Sequence, residues 1–434
     1  MRTLLVTGPG GSGRTTIAAA TALEAARDGR RVLLLTTDPA PGLPAGPDPG
    51  PGPGPAPGPG SDPDPLPAPA AGARPGPAPG PGPGPGPAHG SPAATDAPPA
   101  PAGLTVRRLD PAAHFRRELL ALQVHAGPAL DLLGAAPLDD DELTPLPGGA
   151  PFTYLAALRD AARQEWDLVV ADLPALPDAV ALLALPEQLR RYLRRLLPPE
   201  RRAARALRPM LAQLAGVPMP PDGLYEAAAR KDADLAAVTD LLAAPTTRVR
   251  LVVEPGPAAA GALRTARAGL ALHRLPLDAV VANRLLPTAS PDPWLADLAD
   301  RQRAHLKELY EDGAPVREVP HLGRDPRTPA DLALLGPLAP DPADAAAPAP
   351  PWPVEDLRAT EGALVWRVPL PGAVKSDLGL VRRGDELALT VGPFRRLVPL
   401  PSALRRCTVT GAALRDGELR VRFAPDPGLW PRTH

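Results

Sequence analysis

The amino-acid sequence predicts an α/β fold, a mostly parallel sheet with helices on both faces, followed by a small all-β sandwich. Three observations carry that expectation. Short apolar runs alternate with helical sequence through the first 338 residues, the rhythm of buried strands joined by crossover helices. The first run leads straight into a glycine-rich turn, as ligand-binding strand–loop–helix units do. After residue 353 apolar and polar positions alternate between hairpin turns, the mark of antiparallel sheet.

The first strand is "TLLVTG", apolar throughout, and an alanine-rich helix from about Thr15 to Asp28 is expected behind its glycine turn. "RRVLLLTT" is the second strand, and "LTVRRLD", "WDLVVADL", "RVRLVVE" and "LDAVVANRLL" supply four more. Ligands in such sheets sit at the carboxyl ends of the strands. The C-terminal stretch offers "GALVWRVPLPG", then hairpin turns at "RRGDE" and "RDGE", the second an Asp-Gly turn between strand-like runs. Trp366, Val368 and Leu370 are expected to face one way and Arg367 and Pro369 the other.

Proline placement divides the chain. Twenty-five of the 67 prolines fall between Pro39 and Pro101, in wording such as "GPDPGPGPGPAPGPG". Such a stretch buries almost nothing apolar and reads as a disordered insert, without the glycine register of collagen. Lengthening a loop from about 15 to about 60 residues costs only about 1.2 kcal/mol of closure entropy. Residues 1–38 and 102–338 therefore read as one domain interrupted by an insert at 39–101, with a linker at 339–353 and a β-sandwich at 354–425.

A net charge of −1 argues against a nucleic-acid binder acting through bulk electrostatics. The single cysteine, Cys407, excludes a disulfide framework and a CxxC zinc site within one chain. No window reaches about 18 uninterrupted apolar residues; even the run from 168 to 186 holds Asp172, Asp178 and three prolines. With no leader pattern at Met1, a cytoplasmic protein without an integral membrane segment is expected. The seven histidines form no cluster of metal-ligand spacing.

Residues 6 to 16, "VTGPGGSGRTT", carry the chemistry. Gly8, Gly10, Gly11 and Gly13 let backbone N–H groups turn onto a phosphate chain, the following helix presents its positive end, and Thr15 stands where a magnesium ion would sit. An ordinary glycine-rich turn is the plainer alternative. Arg14 keeps a positive charge as a planar fork in place of an ammonium, which favours phosphate binding over catalytic geometry. Asp172 ends the apolar run "LVVAD" at the ligand edge, the place for a water-bridged magnesium contact. Asp38 stands after the second strand and also suits a turn; Asn283 equally suits a cap.

"VTGPGGSGRTT", "RRVLLLTTDPA", "WDLVVADLPALPDAVALLALP" and "VVANRLLP" occur in the order found in the ArsA-type anion-transporting ATPases, and the sequence resembles that family. These are dimeric P-loop enzymes of the deviant Walker class, and the class includes tail-anchored-protein targeting ATPases. The resemblance implies ATP and Mg2+ as cofactors. It implies a phosphate site from Gly8, Gly10, Gly11, Gly13, Arg14, Thr15 and Thr16. It further implies Asp38 in the first switch, orienting water or magnesium, Asp172 opening the second switch, and Asn283 against adenine. The C-terminal strands resemble the α-crystallin-like, small heat-shock-protein-type domain fused to some of these ATPases, which implies an interaction role.

The chain departs from that family in places. Pro9 stands where the family has a lysine that reaches the partner's nucleotide, and proline offers neither charge nor N–H. "DLPALPD", residues 172–178, replaces a second switch rich in threonine and glycine. Two hypotheses result: a homodimeric, magnesium-dependent ATPase whose nucleotide state controls a client surface, or a degenerate relative that binds nucleotide without turnover and acts as a chaperone-like module. Between Glu187 and Arg208 eight arginines face two glutamates on an amphipathic helix. A helix packed on the core with a solvated basic face is preferred there to one lying on an anionic membrane. Only Met210 and Met219 are found nearby, too few for the methionine-rich cradle of the targeting relatives.

Overall fold

The computed structural model describes residues 1–44, 101–134, 136–144, 148–197, 222–311, 313–340, 350–426 and 428. Nearly all of the Pro/Gly insert, most of the linker and the stretch 198–221 lie outside these described residues.

Seven parallel strands form the main sheet in the order β3-β2-β4-β1-β5-β6-β7. They are β1 (Arg2–Thr7), β2 (Val32–Thr36), β3 (Leu104–Arg108), β4 (Leu168–Asp172), β5 (Thr247–Val253), β6 (Leu277–Leu285) and β7 (Val316–Pro320). The central strands β1, β2 and β4 are buried almost end to end, because helices cover both faces. The sequence reading missed β7. "VREVP" carries two charges and only Val319 is fully buried, which is how an edge strand reads.

Helix α1 (Arg14–Arg27) runs back from the glycine loop and lays its alanines on the sheet. Ala18, Ala22 and Ala25 are fully buried, and such small side chains let the helix sit close to the strands. The other face takes α2 (Pro111–Leu133), α3 (Ala150–Ala162), α4 (Asp178–Leu196), α5 (Asp222–Ala243) and α6 (Ala259–Leu272). The basic helix read from Glu187 is thus the second half of α4, which begins at Asp178. The segment after β2 does not leave the fold at Pro39. The described chain continues through Pro44, and Leu43 is buried against Leu332 and Leu335 because it is the one large apolar side chain there.

The C-terminal region forms two antiparallel sheets, β10-β11-β12 and β13-β14-β9-β8. Their strands are β8 (Val354–Leu357), β9 (Ala363–Pro369), β10 (Leu378–Arg383), β11 (Glu386–Val391), β12 (Phe394–Pro399), β13 (Cys407–Arg415) and β14 (Glu418–Pro425). Both expected hairpins are present, turning between Arg383 and Glu386 and between Arg415 and Glu418. Trp366, Val368 and Leu370 are buried, whereas Arg367 is half-buried and Pro369 exposed. Trp352 stacks edge-on to Trp366 with ring centroids 5.7 Å apart. Among the described residues no helix is long and apolar enough to cross a membrane.

Candidate functional site

The glycine loop lies at the carboxyl end of β1, between the ends of β4 and β5. Its four glycines divide by what surrounds them. A Cβ on Gly8 would lie 1.9 Å from the Val252 carbonyl oxygen, and one on Gly13 would lie 2.3 Å from Asn283 Nδ2. Those two positions let the loop thread between strand ends. Gly10 and Gly11 have nothing within 4 Å of such a Cβ, so their backbone is open on the ligand side. Gly11 and Gly13 also take φ of +77° and +87°, a region other residues avoid.

Beside the loop stands a buried carboxylate. Asp172 is 3% exposed, and its Oδ2 accepts a hydrogen bond from Thr15 Oγ1 at 2.7 Å and lies 2.9 Å from Thr36 Oγ1. Burial pushes its pKa up against the opposing effect of the two hydroxyls and of nearby Arg14. Strand register builds this cluster. Leu35 pairs with Ala171 and Val6 with Asp172, so Thr36 and Asp172 finish adjacent strands at one edge. Thr36 was missed in the sequence, although its place at the end of "VLLLT" was the available signal.

Tyr154, also missed, reaches in from α3. Its hydroxyl donates to the Asp172 carbonyl oxygen at 2.7 Å and lies 3.2 Å from Thr37 Oγ1. Burial first, then the negative charges of Asp172 and Asp38, push it up to about 12. Asp38 is exposed; its N–H donates to Thr36 Oγ1 at 3.1 Å, which hangs the segment after β2 on the same threonine.

Arg14 reaches toward the end of β4. Its Nη1 donates to the Leu173 carbonyl oxygen at 2.8 Å, tying the glycine loop to the start of "DLPALPD". Thr7 Oγ1 donates to the Pro174 carbonyl and Leu176 N–H to the Gly8 carbonyl, so the loop region and "DLPALPD" are stitched together at several points. On the opposite side β6 loses its register with β7 between Ala282 and Leu285. That break turns Asn283 and Arg284 onto the loop. Asn283 Nδ2 donates to the Ser12 carbonyl at 2.8 Å and Arg284, at φ +58°, to the Gly11 carbonyl at 3.0 Å. Gly13, Thr16, Asn283 and Arg284 border a recess of about 150 Å³ walled by His321 and Arg324. Arg324 is held in place by Asp331 at 2.5 Å.

The residues fit a magnesium nucleotide. The hard oxygen donors Thr15 and Asp172 suit Mg2+, and among the described residues no group of three His, Cys, Asp or Glu is gathered to hold an ion. An ion there would need phosphate and water to complete its shell. Ser12 Oγ is buried without a hydrogen-bond partner, an unsatisfied group in the loop itself. Away from this edge, an apolar cavity of about 420 Å³ lies among α2, α3, α4 and α5, lined by Phe115, Phe152, Leu155, Leu193 and Val238.

Sheet order, loop and following helix put the molecule in the P-loop ATPase class. The family model for the anion-transporting ATPase matches residues 1–45 and 100–325, and one for the HSP20-like domain found in ArsA matches 361–423; the chain belongs to the ArsA family, in the form with a C-terminal HSP20-like domain. It is similar to uncharacterized protein SCO2128 of Streptomyces coelicolor, at 56% identity over the whole of both chains. It is 33% identical to protein Rv2184c of Mycobacterium tuberculosis over 70% of this chain and 74% of that one. A protein of Aquifex aeolicus provisionally named arsenical pump-driving ATPase 1 is 24% identical over 97% of this chain and 99% of its own.

Proposed function

We propose that the chain is a magnesium-dependent ATPase that works as a homodimer, in which the state of the nucleotide controls a surface for a partner or client protein. The division into an ATPase domain of residues 1–38 and 102–338 and a β-sandwich of 354–425 is part of that reading. The observation that carries it is the meeting of three oxygens at the loop, with Thr15 Oγ1 at 2.7 Å and Thr36 Oγ1 at 2.9 Å from Asp172 Oδ2. Bound Mg2+ would neutralise charge on the phosphates. The loop amides and Arg14 would stabilise charge that grows on the phosphate oxygens during cleavage, and Asp38 would orient the attacking water. Asn283 and the recess beside Gly13 would take the base.

Arg14 gives the loop a way to report its contents. A phosphate oxygen is a stronger acceptor for a guanidinium than the neutral Leu173 carbonyl, so nucleotide would draw Arg14 off the second switch and release one of its ties. Pro9 favours a second reading, nucleotide binding without turnover, because it removes the charge the family aims at the partner's phosphate. Phosphate release with magnesium, measured beside Asp38→Asn, separates the two. Release that the substitution abolishes supports the ATPase, and equal background release supports the binder. Arg14→Ala should weaken ATP binding about tenfold or more, the worth of a charge-assisted hydrogen bond; unchanged affinity would mean that Arg14 does not hold phosphate at this loop.

A further inference from the structure

The second half of α4 faces the β10-β11-β12 sheet across a groove of about 850 Å³. Its helical wall carries Arg190, Arg191, Arg194 and Arg195, and its sheet wall carries Arg383, Arg395 and Arg396. The basic face read from the sequence is thus one side of a cleft that the C-terminal domain completes.

Some of this charge is already paired. Arg191 grips Glu386 through Nε at 3.2 Å and Nη2 at 2.5 Å, Arg190 and Arg194 share Asp232, and Arg396 meets Glu187 at 3.2 Å. Arg195, Arg383 and Arg395 are exposed and have no carboxylate partner among the described residues. Arg396 Nε is buried with no hydrogen-bond partner. Three unpaired guanidiniums converging in one cleft repel one another unless anions join them. The fork-on grip of Glu386 by Arg191 shows the geometry with which this cleft takes a carboxylate.

We infer that the cleft is a docking site for an acidic, extended polypeptide segment of a partner protein. Strand β12 supplies much of the sheet wall and is an edge strand, hydrogen-bonded among the described residues to β11 alone. A free edge takes an added strand through main-chain hydrogen bonds, while side-chain pockets read alternate residues. Tyr192, 52% exposed on the helical wall, offers apolar contact to the residues between the acids. A recessed cleft does not suit a flat membrane, and a chain of net charge −1 lacks the broad positive field that holds duplex DNA. The inference deepens the partner-binding part of the proposed function and is independent of its nucleotide part.

The test is fluorescence anisotropy of a fluorescein-labelled twelve-residue peptide alternating glutamate and valine, added to the full chain without nucleotide. The comparison arms are a lysine–valine peptide, phosphatidylglycerol vesicles and duplex DNA. The acidic peptide should bind, weaken as salt rises through the range that shortens the Debye length, and lose about tenfold or more in affinity to Arg195→Glu/Arg383→Glu/Arg395→Glu. The matching triple lysine variant should keep part of the affinity, and both variants should melt and bind ATP as the parent does. Equal affinity in the glutamate variant, or binding of vesicles or DNA without the peptide, overturns the inference. ATP binding measured on the same samples shows independently whether the nucleotide site works. Should the glutamate variant melt early, Arg195→Gln/Arg383→Gln/Arg395→Gln replaces it under the same criteria.

Discussion

On one face of the seven-stranded sheet Leu4, Val6, Val32, Leu34 and Val170 meet α1 and the segment around Leu332, Leu335 and Leu338. On the opposite face Leu5, Leu33, Val169, Leu251 and Val253 share one continuous apolar cluster with α3 to α6 and with Trp366, Leu389, Phe394 and Phe423 of the C-terminal sheets. The first face is finished by the ATPase fold alone, and the second is finished by the HSP20-like domain. The difference teaches that the C-terminal domain, separate in sequence, is part of the protein's core. Strand alternation makes the division, since successive residues of β1 and β2 feed opposite clusters.

The self-contained face is locked by a buried ion pair. Arg250 is fully buried and donates to Asp278 Oδ2 through Nε at 2.8 Å and Nη2 at 2.6 Å, and through Nη1 to the Leu338 carbonyl at 2.5 Å and Thr21 at 3.1 Å. Arg250→Ala strands the Asp278 carboxylate, whose side chain is 6% exposed, and should cost about 3–5 kcal/mol in urea unfolding. Arg250→Met with Asp278→Leu should recover most of the loss, because two well-packed apolar side chains replace a desolvated pair at little cost. A loss in Arg250→Ala of under about 1 kcal/mol would show that the ion pair does not close this face.

The shared face depends on close approach. In α6, a Cβ on Gly269 would lie 2.5 Å from the Phe394 ring, and one on Gly372 would lie 2.8 Å from the Arg264 carbonyl. Glycine to alanine in a helix ordinarily gains about 1 kcal/mol, yet Gly269→Ala should lower stability by about 1–3 kcal/mol through overpacking. Gly261→Ala in the same helix meets only the far end of Arg264 at 3.9 Å and should be neutral or stabilising. Equal effects of the two substitutions in thermal melting would mean that the C-terminal domain does not press on α6.

Legibility in the sequence followed the same division. Continuous apolar strands, the glycine loop and the Asp-Gly hairpin announce themselves because each is a local pattern with one physical cause. The edge strands β7 and β8 were missed because their side chains answer to solvent. Asp172 was read at its place on the sheet edge, but Thr36 and Tyr154 come to it from segments that only strand register and helix packing bring near. The tie from Arg14 to Leu173 and the docking of Phe394 on Gly269 are contacts across 159 and 125 positions, for which a single sequence holds no local sign.

The smallest effect expected runs in the opposite direction. Asp172 is buried with hydroxyl partners and, among the described residues, no direct ion pair, and burial raises its pKa. A raised folded-state pKa means that the native chain holds its proton more tightly than the unfolded chain does. The stability this gives is present below the ordinary aspartate value and is lost as pH rises through the folded value. At neutral pH the ionised carboxylate therefore opposes folding. Asp172→Asn should raise the melting temperature of the nucleotide-free protein and flatten its acid-side pH dependence, while weakening the extra stabilisation that magnesium with ATP confers by mass action. The gain should be absent near pH 3, where the parent carboxyl is already neutral in both states. A melting temperature that falls at neutral pH would show that the Thr15 and Thr36 hydroxyls compensate the buried charge in full, and the nucleotide face would then hold no strained acid in reserve.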